Sequence, residues 1–278
     1  MKVFGNRRRL KKPPRGEESL EKKPKSWLSQ EEDDLTPERD LWQDPHDTIS
    51  HYYRWIWEYL AYLPLLGDAR RESKILEIGC SHGRTSRGLL HNLRSPGGYW
   101  GFDIDQAQVA EATKRITSRS AGFQYIHADV FHRQFNPTGT IAAKDFTFPF
   151  ENAFFDCVYA ASVFTHLLPE ETERYFHETR RVLKAGGKAL FSFFVRDFYR
   201  GPGSTISPRY EFDHDHADDS EVGIKFPEYP DVVIAYRENR IREFAQSAGL
   251  VVRRIVPGLW SNSSGVAVNE QDLVVLAG

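Results

Sequence analysis

Along residues 74–195, short apolar runs recur at 74–78, 98–104, 123–128, 154–161 and 188–195. They are rich in branched and aromatic residues and show little alternation, the pattern of strands covered on both faces. Between them, 84–93, 106–118 and 169–183 carry helical spacing of apolar residues. The last begins with Pro169, Glu170 and Glu171, a proline in the first turn and acids near the positive end of the dipole. Strands alternating with helices predict a doubly wound, mostly parallel α/β sheet. Residues 232–248 read as one further helix stopped by Gly249, and 250–256 and 272–276 as two final strands. The predicted sheet is therefore seven-stranded.

Three stretches depart from this rhythm. Residues 1–45 mix a basic cluster (Arg7 to Arg15) with an acidic run (Glu31 to Asp34), and too few apolar side chains to offset the entropy of ordering. A disordered tail is expected there, with Trp27, Leu28 and Leu35 left for local contact; the domain proper is expected over 46–278. Within 49–66, the length and the helical spacing of Tyr52, Tyr53, Trp55, Ile56, Trp57, Tyr59, Leu60, Tyr62 and Leu63 suggest an amphipathic helix, ended by Pro64 and Gly67. Such an aromatic stripe is either core or one wall of a ligand pocket. Residues 196–230, rich in Gly, Pro, Asp and His, are too long for a simple connection and are expected to form an insertion or lid loop.

Composition adds limits. The 278 residues are 40% hydrophobic, enough for one sizeable α/β domain with appendages. A formal net charge of -2 gives no global pull toward nucleic acid or membrane. Cys80 and Cys157, the two cysteines, are too few for a disulfide framework. No apolar run is long enough to span a membrane, and the first residues carry no signal-peptide core. A cytoplasmic protein is expected.

The candidate chemistry starts where the 74–78 strand ends in Glu77, Gly79, Cys80, Ser81 and Gly83. Glycines in a strand–turn–helix corner let backbone approach a ligand, and the helix start offers free N–H groups. A dinucleotide fingerprint would need glycine where Ser81 and Arg84 stand, and Glu77 would repel a pyrophosphate. A phosphate-free, cationic nucleoside suits that carboxylate better. Asp103 ends the second strand about 20 residues past the turn, at the reach of ribose hydroxyls. Asp129 ends the third.

The stretch Glu77-x-Gly-x-Ser-x-Gly83 resembles motif I of the class I S-adenosylmethionine-dependent methyltransferases, with Ser81 in place of the middle glycine. Phe155-Asp156-Cys157-Val158, then Ser162-Val163-Phe164-Thr165-His166-Leu167, then Arg181-Val182-Leu183-Lys184-Ala185-Gly186-Gly187 resemble the second half of that domain. The resemblance spans about 75–276 and implies that the last two strands form an antiparallel hairpin. It implies S-adenosylmethionine as cofactor, with Glu77, Gly79, Cys80, Ser81 and Gly83 at its methionine end. Asp103 and Ile104 would meet the ribose, Asp129 and Val130 the adenine, and Ser162 would line the same crevice. Asp145, before the Pro149-Phe150 pair, is a rival for the adenine contact.

For a hydroxyl acceptor, His166 is the candidate base, because its loop leaves the carboxyl end of a central strand. It is equally readable as a packed or capping residue. The expected acceptor is a small molecule or sugar. Two alternatives stand beside it: RNA methylation with the basic tail on phosphates, and a binding protein without catalysis. A dehydrogenase is disfavoured by the glycine spacing. The His/Asp alternation at 213–219 invites a metal reading, against a solvated acidic loop; no metal is assigned.

Overall fold

The computed structural model describes residues 49–95, 97–201, 210–217, 219–263 and 269–278. The expectations for the charged segment 1–45 lie outside the described residues.

Strand β1 (Lys74–Ile78) is buried from Ile75 onward, as its unbroken apolar run requires. It pairs in parallel with β2 (Gly98–Asp103) on one side and β4 (Phe155–Ala160) on the other. β3 (Phe123–His127) extends the sheet beyond β2, and β5 (Leu183–Phe193) extends it beyond β4. The seven-stranded order is β3-β2-β1-β4-β5-β10-β9, closed by β9 (Val251–Val256) and β10 (Asp272–Ala277). β10 is antiparallel to both neighbours. Winding runs outward in both directions from β1 and β4, so their carboxyl ends diverge and leave a crevice.

Helices cover both faces. α1 (Ile49–Leu66) buries Tyr52, Ile56, Tyr59 and Leu63, and sets the Tyr59 ring against that of Tyr159 in β4, tilted, at 5.5 Å. It meets α2 (Arg84–Leu89) closely, since a Cβ on Gly88 would lie 2.5 Å from Ile56. α3 (Gln106–Ala112) is capped by the Asp105 carboxylate and runs on as a π-turn over Thr113–Thr117. α4 (Pro169–Val182) starts where Pro169 fixes the first turn and Glu171 accepts the N–H of Leu168 at 2.7 Å. Cys80 and Cys157 are free and buried, behaving as small apolar residues.

Two expectations are corrected. Residues 196–230 were expected to have no structure of their own, yet β6 (His214–His216) and β7 (Asp219–Ile224) join β8 (Ile234–Tyr236) in a three-stranded antiparallel sheet. The helix expected over 232–248 begins at Glu238, as α5 (Glu238–Ser247). Burial of Ile234, Ala235 and Tyr236 on the core outweighs helical spacing there, and Arg237 stays extended.

Candidate active site

A cavity of about 850 Å³ opens at the carboxyl ends of β1, β2 and β4. Glu77, Gly79, Cys80, Ser81, Asp103 and Ile104 line it, joined by Val130, Ser162 and His166. The remaining sequence candidates do not. Gly83 serves the turn behind the wall: its φ is 79°, and a Cβ there would sit 2.6 Å from Ile116. Asp129 lines an adjoining hollow that shares Ile104, Asp105 and Phe135 with the cavity. Its rival Asp145 is exposed and borders neither.

The strand tips are tied to one another. Both oxygens of Asp103 are engaged, accepting the N–H of Ser81 at 2.7 Å and of Asp105 at 2.9 Å. Each retains a lone pair for a further donor. Burial, partly offset by these bonds, raises its pKa. Glu77 is buried below them, where one carboxylate oxygen accepts the hydroxyls of Tyr159 (2.6 Å) and Tyr99. Burial pushes this carboxyl group up to about 8 despite both tyrosines. A cation entering the cavity would favour its ionised form. Gly79, at φ 73°, is packed so closely that a Cβ would meet Val163 at 2.5 Å.

The opposite wall comes from distant segments. Ser162 donates its N–H to the Ser192 hydroxyl (2.7 Å), which donates to Gln271 (2.7 Å), whose amide donates back to the Ser162 hydroxyl (2.8 Å). Trp55 of α1, Phe194 and Tyr210 supply aromatic surface. Arg54, joined to Glu270 at 3.2 Å, adds charge. The stripe on α1 thus serves both readings, most of it core and Trp55 cavity wall.

His166 is half-buried, with Nδ1 shielded and without a hydrogen-bond partner. Burial and neighbouring His132 lower its pKa to about 4, so the imidazole is neutral at physiological pH. Phe135 meets it edge-on at 5.3 Å and stacks on His132 at 4.8 Å. Nδ1 of His132 accepts the N–H groups of Gln134 (3.2 Å) and Phe135 (3.3 Å).

Sequence reasoning gave no site role to His132, Phe135, Arg84, Gln108 or Gln271, all of them cavity-lining. The one available signal was the unusual length of the excursion after β3. Among the described residues, no group of three His, Cys, Asp or Glu side chains is arranged for a metal ion. None of the described helices is long and apolar enough to cross a membrane.

Residues 76–191 match the family model for a methyltransferase domain. The fold is also that of solved structures at low identity. A protein of Pyrococcus horikoshii is 18% identical with a TM-score of 0.53, the alignment covering 84% of this chain and 93% of that one. An S-adenosylmethionine-dependent methyltransferase of Clostridium acetobutylicum is 15% identical with a TM-score of 0.51, covering 82% and 92%. The [4+2]-cyclase SpnF is 16% identical with a TM-score of 0.51; there the match covers 77% of this chain but 64% of the cyclase, less than two thirds of its length. Over residues 76–191 the chain is thus similar to a methyltransferase domain, and its sheet architecture is shared with these solved structures.

Proposed function

We propose that the protein methylates a hydroxyl group of a small molecule or saccharide, with His166 as the base. The observation that carries this reading is a neutral imidazole in the cavity wall, on the loop leaving β4. When bound, S-adenosylmethionine supplies a methyl group already activated by its sulfonium.

The donor set fits that cofactor. Glu77 and the turn at Gly79, Cys80 and Ser81 offer a buried carboxylate and backbone N–H groups to a methionine moiety. The spare lone pairs of Asp103 suit ribose hydroxyls, while Ile104 and Val130 offer apolar surface to adenine, with Asp129 at its edge.

The chain's own part in the reaction is alignment, exclusion of water and proton removal. Trp55, Phe194 and Tyr210 would bracket a ring or sugar face. His166 would take the proton of the acceptor hydroxyl as that oxygen accepts the methyl group, leaving the electron pair of the former carbon–sulfur bond on sulfur.

Two measurements test this. Calorimetric titration with S-adenosylhomocysteine should show binding; folded protein that does not bind refutes the cofactor site. Release of S-adenosylhomocysteine across a panel of phenols, polyols and glycosides tests the acceptor class. An H166A variant turning over as fast as the wild type removes the base.

A further inference from the structure

The 162–167 loop brings Val163 and His166 to the cavity wall, and, resting on the reading of that cavity as a methyl-transfer site, its setting decides where the base stands. The two ends of the loop are held differently. At the far end β8 fastens it: Ile234 donates its N–H to the Thr165 carbonyl at 2.9 Å, and the Tyr236 hydroxyl donates to the Leu167 carbonyl at 2.6 Å. At the near end stands Ser162, two residues past β4, with φ 59°. Glycine takes that left-handed conformation freely, whereas a serine is strained in it. Such a conformation persists where the surroundings over-determine it.

Here the surroundings are the closed ring of Ser162, Ser192 and Gln271, whose three bonds are all 2.7–2.8 Å long. Two of its members are fixed without Ser162. Ser192 is buried within β5, opposite Leu273 of β10. Gln271 is clamped through its backbone and its neighbours. Leu259 and Trp260 donate N–H groups to the carbonyls of Asn269 (2.9 Å) and Glu270 (3.0 Å), and a Cβ on Gly258 would lie 2.4 Å from the Gln271 carbonyl. The bonds within the loop tie it only to itself: the Ser162 hydroxyl lies 3.3 Å from that of Thr165, and His166 donates its N–H to the Val163 carbonyl at 2.9 Å. Ser162 is therefore the yielding member, drawn onto a frame made by two sheet strands.

We propose that Gln271 is the positioning residue of this loop: its amide grips the Ser162 hydroxyl while Ser192 grips the Ser162 N–H, and the setting of Val163 and His166 follows from that pair of bonds. The C-terminal hairpin thereby acquires a part in the chemistry, through the residue that immediately precedes β10.

The test reads amide hydrogen exchange in the full chain without ligand, so it needs neither cofactor nor acceptor and stands apart from the H166A test of the base. In the wild type the Ser162 amide should exchange about 100-fold more slowly than in an unstructured chain. An unprotected Ser162 amide overturns the proposal, whether or not any variant folds. In Q271L, exchange over 162–166 should quicken about tenfold, while β5 and β10 keep their wild-type protection. S192A, which opens the ring at another corner, should do the same to the loop. Unchanged loop protection in a folded Q271L overturns the proposal. So does an equal loss along β10, which would make Gln271 a member of the sheet and nothing more. Q271E should restore most of the protection, since its carboxyl group still accepts from Ser192 and shares a proton with the Ser162 hydroxyl. With any acceptor that turns over, Q271L should lower kcat about 10- to 100-fold with KM little changed, the mark of lost alignment. A raised KM at unchanged kcat would make Gln271 a binding group and overturn its positioning role.

Discussion

At the cofactor end of the cavity, Asp103 and Glu77 each already accept two hydrogen bonds from this chain. At the acceptor end, His166 Nδ1, His132 Nε2 and Asp231 Oδ1 are buried with none. The first region is made of consecutive strand tips that fix one another; the second joins residues as far apart as Trp55, His166, Tyr210 and Gln271. Prepaired carboxylates suit a ligand that never varies. Unpartnered polar atoms beside a cavity are free to bond to whatever enters it.

The sharpest way to separate the two ends is His166→Ala. Turnover should fall by roughly 10²- to 10⁴-fold, while the affinity for S-adenosylhomocysteine measured by calorimetry stays within a factor of two. Asp103→Ala should do the reverse. Affinity should drop about 100-fold, the loss of two hydrogen bonds to a charged group at about 1.5 kcal/mol each. Circular dichroism would show whether untying the Ser81 turn also lowers the melting temperature. If both variants damage both properties alike, the division is wrong.

Gly79→Ala probes the seam between the ends. Its Cβ would strike Val163 on the loop bearing His166, and φ 73° is strained for alanine. Cofactor affinity and turnover should therefore fall together, each by about tenfold for roughly 1–2 kcal/mol of strain. A fall in only one would mean that the loop yields without disturbing His166.

The smallest effect concerns pH. The Glu77 carboxyl in the empty protein is pushed up to about 8, so it holds a proton at neutral pH. A cofactor ammonium favours the ionised form, and binding then releases that proton. Affinity should rise with pH up to about 8 and level off above it, by at most tenfold per unit. Calorimetry at pH 7 in buffers of different ionisation enthalpy would count the proton released, and identical enthalpies in all of them would exclude this coupling.

Much of one side of the cavity lining could be read from the chain because its residues fall at strand tips, and strand tips are announced by the end of an apolar run. Glu77, Asp103 and Val130 follow that rule. Asp129 was placed at the right tip, but its side chain lines the hollow next door, where Thr140 donates to it. The acceptor end offered no such rule. His132 lies in an irregular excursion, and Asp231 in a segment whose apolar spacing mimics a helix. Only the burial of Ile234 to Tyr236 on the core makes that segment a strand. Tertiary packing decides there, and local pattern does not carry it.

The place of β10 between β5 and β9 also bears on how the chain is made. Its six residues are synthesised after every other strand described, yet they fill an interior position of the sheet. Until residues 272–277 emerge from the ribosome, residues 188–193 of β5 lack the partner that they have on that flank. A nascent chain in that condition presents an open template for illegitimate pairing. The sheet's last-made strand is therefore the one that closes it on the β5 side.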